Sequence, residues 1–575
     1  MGGTWVWLND SRFADNQVLL RDGTVLRRIV PSGSYEILNP AGIFTITRTP
    51  NPEDFGFRDD LVRHGLETTV VAHTGEAIIV DGKSAWRREP TAGSWSPMSM
   101  PPTSVLDPEV EWLDSPCAEL SDRRILFLVY RFLVDSSHRD PDADTPVALA
   151  TVDPAGGWRR YPLEGAPFSP HYMSRMFIML PGESSHMLTF ATRPPGTVTF
   201  DTLAVEFAPE TGRWTSHGEA PAAEKGLLLP DGDVLVVTAW GGFGGGPGVK
   251  LYRYSPGLPD PWSQGISLPP TDQRGFRLWR TFQSLVLLPS GRILLAAVYG
   301  DDSGRRQALT MLEYDPDAEE FTLSDPDLIS ENPFPLWGLN LLLLPSGSVL
   351  ASFGASPSDW TEGASMLYRP DPRLPRDAWR PVITTCPQTA QPGDVITITG
   401  RRFGGLSQAH VNAPAFPRTV ATNYPIVRVT ALNGAVSYWR TISSQPHWIG
   451  NPAEDAFHVV IPRSLLSDAT YRLEVIVNGI PSLPRRIRVT VPQDPTRRFL
   501  HSGFEQRVFG NLADGAAFVI TDSGIRPVPG WDTGTRKQVE QLNRQFLDAA
   551  AQLYALGQKA VNLPPPHHAR PDARD

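Results

Sequence analysis

The histidines, cysteines, serines and acidic residues of this sequence do not have the spacing that common catalytic or metal-binding motifs require. None of the 12 histidines belongs to a His-Glu-x-x-His pattern, which would place two imidazoles on one helix face around zinc. No Gly-x-Ser-x-Gly turn exposes a nucleophilic serine, and the adjacent acids Asp301 and Asp302 are typical of solvated loop charge. The two cysteines, Cys117 and Cys386, lie far apart and indicate neither a disulfide framework nor a thiolate metal site. The sequence therefore predicts no metal.

A glycine-rich segment, GGFGGGPG at residues 241–248, resembles a phosphate-binding loop only in composition. It lacks the Lys-Ser/Thr that follows such loops, and it leads into the strand-like VKLYRY rather than into a helix. We expect a loop between strands, either at a binding mouth beside Trp240 or as an ordinary connection.

The overall charge argues against two classes of partner. The net charge of -10 and the pI of about 5.7 provide no basic field for nucleic acid or for an anionic membrane. Residues 1–16 lack the basic start and apolar run of a signal peptide, and no later stretch has the ~18 apolar residues of a membrane span. The sequence predicts a cytoplasmic protein, or a secreted one whose leader has been removed.

The elements that would position any site come from an internal repeat. An apolar strand, a two-residue turn and a second apolar strand recur in the first two thirds of the chain. The seven turns are Asp22-Gly23, Thr74-Gly75, Ser121-Asp122, Pro181-Gly182, Asp231-Gly232, Ser290-Gly291 and Ser346-Gly347. Glycine accepts a positive φ in a tight turn, so each unit predicts two adjacent antiparallel strands.

A second hairpin follows most of these turns and carries an aromatic residue shortly after an Asp-Pro or similar break. The aromatic positions are Trp95, Trp158, Trp214, Trp262, Phe321 and Trp379. Two hairpins per unit make a four-stranded blade, and an aromatic residue at a fixed blade position is expected to pack between blades. The sequence thus predicts an all-β chain in which residues 1–379 form a seven-bladed β-propeller.

The remainder of the chain changes character. Residues 380–492 show short alternating strands separated by Pro and Gly, which predict an immunoglobulin-like β-sandwich. Residues 493–563 predict a hairpin and an amphipathic helix, which either docks on the protein itself or mediates self-association. Its apolar stripe includes Val539, Leu542, Phe546, Leu553 and Leu556. Residues 564–575 are expected to be disordered.

Three stretches of the predicted sandwich, TNYPIVR, SYWRT and VIVNGIPS, resemble the early-set domain of bacterial kelch-type proteins. A propeller followed by this domain resembles the galactose oxidase and glyoxal oxidase family over roughly residues 1–492. The resemblance implies a copper site of two tyrosines, two histidines and a cysteine linked to one tyrosine, because a protein radical must be stabilised beside the metal.

The positions that match this copper site hold other residue types. Trp337 and Gly338 stand at the Tyr-His pair, and Phe282 stands at the cross-linked tyrosine in the motif RTFQS. Lys225 stands near the cysteine position, and Arg418 near that of the remaining histidine. Phe, Gly and Arg offer none of the imidazole or phenolate ligands that Cu(II) selects. The expectation is a related architecture without a copper cofactor.

The sequence favours a non-catalytic binding or protein-interaction scaffold with ligand contact at the channel mouth. The mouth residues are Phe282, Trp337, Gly338, Arg418, Trp240 and Lys225. The expected partner is a protein or a neutral carbohydrate-like ligand. Enzyme activity stays open, since a metal-independent carbohydrate-active enzyme would need acids or histidines converging on the same mouth from several blades. A copper radical oxidase is the least favoured reading.

Overall fold

A computed structural model describes residues 3–8, 13–30, 35–39, 45–48, 70–80, 85–90, 93–107, 111–131, 145–164, 166–168, 177–182, 185–192, 202–221, 223–238, 249–301, 306–330, 337–354, 363–370, 375–407, 409–411, 418–419, 423–444, 446–447, 449–465, 468–491, 507–512, 516–521 and 524–527. Within these ranges the chain forms strands and turns, with one 3-10 helix at Asp377–Trp379. The chain is all-β in the part that the structure describes.

Backbone contacts divide the chain into two compact units. The first unit comprises Met1–Cys386, Thr397–Val459 and Arg472–Arg485. The second comprises Pro387–Ile396, Val460–Tyr471 and Arg486–Asp575.

The strands from the N-terminus to Arg369 belong to the first unit. They are β1 (Thr4–Trp7), β2 (Phe13–Leu19), β3 (Val25–Val30), β4 (Tyr35–Asn39), β5 (Thr45–Arg48), β6 (Val70–Val71), β7 (Ala77–Val80), β8 (Ala85–Arg88), β9 (Trp95–Pro97), β10 (Glu111–Glu119), β11 (Ile125–Arg131), β12 (Thr145–Val152), β13 (Trp158–Pro162), β14 (Ile178–Met179), β15 (Met187–Thr192), β16 (Thr202–Ala208), β17 (Arg213–Ala220), β18 (Ala223–Leu228), β19 (Val234–Thr238), β20 (Lys250–Tyr254), β21 (Ile266–Ser267), β22 (Arg277–Leu287), β23 (Ile293–Gly300), β24 (Gln307–Asp315), β25 (Glu320–Ser330), β26 (Trp337–Leu343), β27 (Val349–Gly354) and β28 (Gly363–Arg369).

Consecutive strands pair antiparallel in groups of four. The groups are β2 to β5, β6 to β9, β10 to β13, β14 to β17, β18 to β21 and β22 to β25. The next three strands, β26 to β28, are completed by β1, which pairs with β28 from Thr4 opposite Arg369 to Trp7 opposite Met366. The first strand of the chain therefore completes the last of these sheets.

The hydrophobic core lies between neighbouring sheets. One cluster joins Leu128 of β11 to Phe207 of β16, and another joins Leu235, Val298 and Leu341 from three successive sheets. A further cluster brings Leu342 of the last sheet against Leu26 and Ile79 of the first two sheets. Each sheet thus packs on the next and the last packs on the first, which is the arrangement of a β-propeller.

A buried polar contact accompanies this closure. The side-chain amide of Gln17 on β2 donates to the backbone carbonyls of Asn340 at 3.3 Å and Leu350 at 3.4 Å, in the last sheet. Because the Gln17 side chain is buried, this contact satisfies its donor group where water is excluded.

The predicted hairpin turns occur at the expected places, but their geometry differs from the prediction of two-residue turns. The amide of Gly23 donates to the carbonyl of Leu20, and the amide of Leu20 donates to the carbonyl of Thr24. The loop therefore holds three residues, with Gly23 in the left-handed region at φ +78°. The same pattern recurs at the turns that end at Gly75, Arg123, Gly232, Gly291 and Gly347.

Two turns depart from the sequence prediction in detail. In the third turn the positive φ falls on Arg123 rather than within Ser121-Asp122, at +71°. In the fourth, the amide of Leu180 bonds to the carbonyl of His186, so the Pro181-Gly182 connection is longer than a tight turn.

The repeated aromatic residues pack on the sheets, and the ring contacts below lie within one sheet, whereas the sequence predicted packing between blades. Trp214 contacts the ring of Phe207 at a centroid distance of 4.7 Å, and Trp262 contacts Tyr254 at 4.9 Å. Phe321 contacts Tyr314 at 5.0 Å, also on the neighbouring strand. These contacts extend the hydrophobic core toward the outer strands.

The remaining strands follow the propeller sheets. They are β29 (Val382–Thr385), β30 (Thr389–Ala390), β31 (Val395–Arg401), β32 (Ala409–Val411), β33 (Arg418–Thr419), β34 (Ile426–Ala431), β35 (Val436–Trp439), β36 (Thr441–Ile442), β37 (Glu454–Val460), β38 (Ala469–Val477), β39 (Ile480–Pro481), β40 (Arg485–Val489), β41 (Arg507–Leu512), β42 (Ala516–Thr521) and β43 (Gly524–Pro527).

In the first unit these strands form two further sheets, which we call the C-terminal sheets. One has the order β29-β31-β37-β36, and the other contains β38-β34-β35, with β39 paired to β38. Phe403 and Phe457 meet edge to face at 4.9 Å, and Trp439 is buried. The C-terminal sheets therefore have an apolar core of their own.

The second unit contains β30 paired parallel to β40, and backbone bonds between Gly393 and Ile461. Beyond residue 493, β41 and β42 pair antiparallel, and β43 adds a third strand. The predicted helix with Val539, Leu542, Phe546, Leu553 and Leu556, and the tail at residues 564–575, lie outside the described residues.

Two turn glycines allow the cost of backbone strain to be measured separately from the cost of a steric clash. Gly232 and Gly291 have nearly equal φ of +93° and +94°, but an added Cβ would meet Pro181 at 3.8 Å in the first case and Arg376 at 2.9 Å in the second. We expect Gly232→Ala to lower the free energy of unfolding by about 1–2 kcal/mol through strain alone. Gly291→Ala should lower the free energy of unfolding by more than Gly232→Ala does, because Arg376 and Trp379 must also move. Urea unfolding checks this, and equal losses would contradict it.

Candidate functional site

The residues predicted to form the channel mouth lie mostly on inner strands of the propeller. Lys225 is in β18, Phe282 is in β22, and Trp337 and Gly338 begin β26. Strands β18, β22 and β26 are neighbours in that order. Arg418 is in β33, and Trp240 lies outside the described residues.

A hairpin from the C-terminal part of the chain joins the inner edge of one propeller sheet. Strand β32 pairs antiparallel with β18, so that Lys225 lies opposite Val411, and β33 pairs with β32, so that Val411 lies opposite Arg418. Strands in a sheet are ~4.8 Å apart, which separates the Lys225 and Arg418 backbones by roughly 10 Å. The backbone register brings these two predicted residues into one row.

This pairing has a simple physical reason. The inner strand of a blade would otherwise present an unpaired edge of backbone donors and acceptors. Strands β32 and β33 cover that edge of β18, and β32 also lies beside β22. His410, which the sequence analysis did not single out, lies on the same hairpin opposite Gly226.

A second group of polar residues lies at the opposite end of the inner strands, at the hairpin turns. The backbone carbonyls of Arg21 and His73, in the first two of these turns, accept hydrogen bonds from the amides of Thr441 at 3.0 Å and Ser443 at 2.9 Å. We call the polar side chains around this junction the turn-end cluster. Its members are Arg21, His73, Glu119, Tyr424, Ser443, His447 and Asp455.

Three members of the turn-end cluster form a hydrogen-bonded chain. The Ser443 hydroxyl lies 2.6 Å from Nε2 of His447, and Nδ1 of the same ring is hydrogen bonded to the Asp455 carboxylate. An imidazole held between a hydroxyl and a carboxylate has the arrangement that activates serine in hydrolases. The His447 side chain has no exposed surface, and Ser443 is only 7% exposed.

The other members of the turn-end cluster tie neighbouring turns together. The Glu119 carboxylate accepts from the His73 amide at 2.7 Å and contacts its ring Nδ1 at 2.6 Å. Nε of Arg21 donates to the carbonyl of Ala72 at 2.9 Å, and its guanidinium lies 4.7 Å from the centre of the Tyr424 ring. The Tyr424 hydroxyl donates to the carbonyl of Leu19.

Burial dominates the electrostatics of this junction. It lowers the pKa of His447 below its usual value, although the hydrogen bond to Asp455 acts in the opposite direction. It raises the pKa of the Tyr424 phenol and lowers that of Arg21 to about 10. His447 is therefore neutral near pH 7, which suits a general base as well as a hydrogen-bonded structural link.

Access decides between these two roles. A substrate carbonyl must approach the nucleophilic oxygen closely, and the burial of Ser443 and His447 leaves no room for that approach. In the described conformation the chain from Ser443 to Asp455 links a loop of the C-terminal sheets to the propeller turns. These three side chains are arranged as in a catalytic triad, but their burial gives them a structural role.

The sequence contains a weak signal for this chain, because all three residues fall within residues 443–455. Their spacing matches no serine hydrolase motif, and only the folded loop brings the side chains together. Among the described residues, no group of three or more His, Cys, Asp or Glu side chains could hold a metal ion. The same part of the chain contains no helix long and apolar enough to cross a membrane.

No protein-family model and no curated protein matches this sequence. Among solved structures, it is similar to virginiamycin B lyase from Staphylococcus aureus, with 13% identity, a TM-score of 0.37 and coverage of 64% of this chain and 98% of that chain. An oligogalacturonate lyase in complex with manganese gives 11% identity, a TM-score of 0.39 and coverage of 64% and 98%.

The extracellular domain of a hybrid two component system from B. thetaiotaomicron gives 9% identity and a TM-score of 0.39, over 85% of this chain and 57% of that chain. TM-scores below 0.5 do not establish a common fold. What these proteins bind or cleave is therefore not transferred to this chain, and the propeller rests on its own sheet packing.

The depressed pKa of His447 gives the protein a defined pH dependence. In the unfolded chain a histidine takes up a proton near pH 6.5, whereas buried His447 stays neutral until a lower pH. Folding stability should therefore fall as the pH drops below 6.5, by up to about 1.4 kcal/mol per pH unit from this residue. In urea unfolding at pH 7, 6 and 5, His447→Gln should be less stable at pH 7 and show a shallower decline.

A second histidine, His186, serves as a control, because its effect on folding stability changes with pH in the opposite direction. Burial opposes protonation of His186, but its hydrogen bonds to Glu210 and Glu206 outweigh this and raise its pKa. His186 therefore stabilises the fold below pH 6.5, and this stabilisation is lost as the pH rises through its folded pKa. His186→Gln should steepen the acid decline. The same slope in both variants would contradict the assignment.

The burial of Ser443 predicts that it does not react as a hydrolase serine. A fluorophosphonate probe should leave the folded protein unlabelled at neutral pH, with a known serine hydrolase as the positive control. Labelling that disappears in both Ser443→Ala and His447→Gln would show that substrate-sized molecules reach the site. Such labelling would contradict the purely structural role of Ser443 and His447.

Proposed function

We propose that this protein is a non-catalytic binding scaffold, built as a seven-bladed propeller with an immunoglobulin-like domain. Seven blades are supported by the sheet order, in which β1 completes the sheet of β26 to β28. An immunoglobulin-like domain is supported by the paired C-terminal sheets and their buried aromatic core. Ligand contact takes place at the channel mouth.

One observation carries the placement of the binding site. The hairpin β32–β33 reaches the inner strand β18 and sets Arg418 in one row with Lys225. Two cationic residues from distant parts of the sequence are thereby brought to the inner edge of one blade. The mouth is built by the propeller and the C-terminal part together, which supports its use as a recognition surface.

The same pairing supports descent from a galactose oxidase-like ancestor with kelch-type blades. By the resemblance to that family, Lys225 and Arg418 stand near the positions of a cysteine and a histidine of one copper site, and the register sets these two residues in one row. Neither residue type, nor Phe282 and Gly338, is a copper ligand that the site would need. In this proposal the protein keeps the position of the family's copper site as its binding site, but the copper ligands are replaced by other residue types.

The residue types at the mouth fit a neutral carbohydrate-like ligand. Lysine and arginine are residue types that donate hydrogen bonds to hydroxyl oxygens, and phenylalanine and tryptophan, present at positions 282 and 337, are residue types on which sugar rings stack. A protein partner that presents such groups would use the same contacts. The alternative of a carbohydrate-active enzyme gains no support, because the acids and histidines that converge in the described residues do so in the turn-end cluster and around His186 and Glu206, and not among the residues predicted for the mouth.

A binding experiment with a charge-matched control tests this function. The wild-type protein is screened on an array of neutral oligosaccharides, and the strongest ligand is measured by calorimetry. Lys225→Ala/Arg418→Ala should weaken its binding at least tenfold, a loss of about 1.4 kcal/mol. The control Lys250→Ala/Arg213→Ala removes the same charge from outer strands β20 and β17 and should bind normally.

Two outcomes would overturn the proposal. Failure of every neutral oligosaccharide to bind, or equal affinity in both double variants, contradicts a carbohydrate site at the mouth. Copper loading followed by dialysis provides a separate test of the scaffold role. One tightly held copper per chain with a tyrosyl-radical absorption band would restore the oxidase instead.

A further inference from the structure

Asparagine stands directly before glycine twice in the sequence, and the structure places the two pairs in opposite surroundings. Asn433-Gly434 lies in the hairpin between β34 and β35, and Asn478-Gly479 lies between β38 and β39. An Asn-Gly pair can rearrange without an enzyme, because glycine has no Cβ to shield its backbone nitrogen from the neighbouring carboxamide. The surroundings of each pair therefore decide whether this reaction takes place in the folded protein.

The first pair occupies an exposed turn. The amide of Gly434 donates to the carbonyl of Ala431 at 2.9 Å, and the amide of Ala431 donates to the carbonyl of Ala435 at 2.9 Å. This is the same three-residue loop as in the propeller turns, with Gly434 at a φ of +84°. All three loop residues are exposed, and Leu432 is 89% exposed. Water therefore reaches Asn433 and the backbone beside it.

The reacting atoms of this pair are open to solvent. Apart from its chain neighbours, a Cβ placed on Gly434 would meet no atom of the described residues within 4 Å. In the same part of the chain, the Asn433 side chain is bonded only within its own turn, where Oδ1 accepts from the amide of Ala435 at 3.0 Å. Negative charge develops on Oδ1 when a nucleophile adds to Cγ, so a donor at this position stabilises the addition.

The side chain of the second pair is enclosed and fully bonded. Asn478 is 7% exposed, and its Oδ1 accepts from the amide of Leu406 at 2.9 Å. Its Nδ2 donates to the carbonyl of Ser407 at 3.4 Å and to Oδ1 of Asn423 at 3.2 Å. Both asparagines thus have a donor on Oδ1, but only at Asn478 must the carboxamide break buried hydrogen bonds before it can turn toward the backbone nitrogen.

The glycine of the second pair is enclosed as well. A Cβ placed on Gly479 would meet Cα of Gly347 at 3.2 Å and side-chain atoms of Leu343 and Pro289 at 3.3 Å each. Ring closure needs the turn to open, since its backbone must rotate. An exposed hairpin tip opens by itself at a small cost in free energy, whereas a packed turn opens only together with the elements around it.

We propose that Asn433 is a site of spontaneous deamidation in the folded protein, and that the fold protects Asn478. The nitrogen of Gly434 gives its proton to hydroxide and adds to Cγ of Asn433. The bond from Cγ to Nδ2 breaks, and the leaving nitrogen takes a proton from water and departs as ammonia, which regenerates hydroxide. Water then opens the five-membered imide at one of its two carbonyls, which gives aspartate or isoaspartate.

The products alter the hairpin in two ways. Both place a negative charge between Leu432 and Val436, two apolar residues that are 89% and 44% exposed. Isoaspartate also adds one atom to the backbone of the three-residue loop, so the bonds that join Ala431 to Gly434 and Ala435 lose their geometry. The modification therefore changes the charge of the tip and weakens its backbone pairing as the protein ages.

The test compares the two pairs within one protein. Full-length wild-type protein is incubated at pH 7.5 and pH 8.5, digested with trypsin and analysed by mass spectrometry, with an unaged sample as the background. Trypsin releases Asn433 in the peptide 429–440 and Asn478 in the peptide 473–485. We expect deamidation to be about tenfold faster or more in the first peptide. It should be faster at the higher pH, because hydroxide removes the amide proton.

The unfolded chain and two variants provide the controls. In urea both pairs are exposed, so their deamidation rates should be comparable. Asn433→Gln keeps an uncharged amide but closes only a six-membered ring, so the peptide 429–440 should stay unmodified. Asn433→Asp has the added charge on a normal backbone. Amide hydrogen exchange over residues 431–435 should therefore be faster in the isoaspartate form, isolated by chromatography from the aged wild type, than in Asn433→Asp.

Two outcomes would overturn the proposal. One is a peptide 429–440 that stays unmodified in the folded protein although it deamidates in urea. The other is equal deamidation of both peptides in the folded protein, since the fold would then give Asn478 no protection. Neither outcome bears on oligosaccharide binding at the mouth, so the two proposals fail separately.

Discussion

Two backbone hydrogen bonds define the junction on which most of the polar chemistry of this protein depends. The amides of Thr441 and Ser443 donate to the carbonyls of Arg21 and His73, at the tips of two propeller turns. Each carbonyl belongs to the first residue of a three-residue loop that ends in a glycine at positive φ. Ser443, which donates the second of these bonds, is also the first member of the buried hydrogen-bonded chain to His447 and Asp455. The buried chain is therefore anchored by this docking contact.

The repeated hairpins of the propeller could be predicted from the sequence. Their contacts with the C-terminal part of the chain could not. Glycines such as Gly232 and the aromatic residues such as Trp214 report local requirements, a positive φ and a packed sheet face, and these can be read from single segments. Arg123 shows the limit, because its turn adopts the same left-handed geometry without a glycine to announce it. The pairing of β32 with β18 joins residues almost two hundred positions apart, and no local pattern specifies it.

The candidate sites show the same division. The resemblance to a known family implies that Lys225 and Arg418 lie at one mouth, and this stays a prediction. The backbone register shows only that the two residues stand in one row across β18, β32 and β33. The turn-end cluster escaped sequence reasoning because Arg21 and His73 come from two separate turns and Glu119 from the end of β10, and all three look like ordinary surface charge in the sequence. Only burial gives them significance, since it is burial that lowers the pKa of His447 and leaves a guanidinium donor unpaired. Burial of a polar side chain is a tertiary property that composition does not reveal.

Arg21 is a costly residue for this junction. The cation already has a backbone acceptor and an aromatic face, so an uncharged side chain of similar length could fill the same space at a lower desolvation cost. Burial lowers its pKa to about 10, which still leaves the guanidinium charged near pH 7. Its Nη1 is buried without a hydrogen-bond partner among the described residues, so part of the free energy of removing the cation from water is not recovered. The junction therefore holds a charged donor that the surrounding residues satisfy only in part.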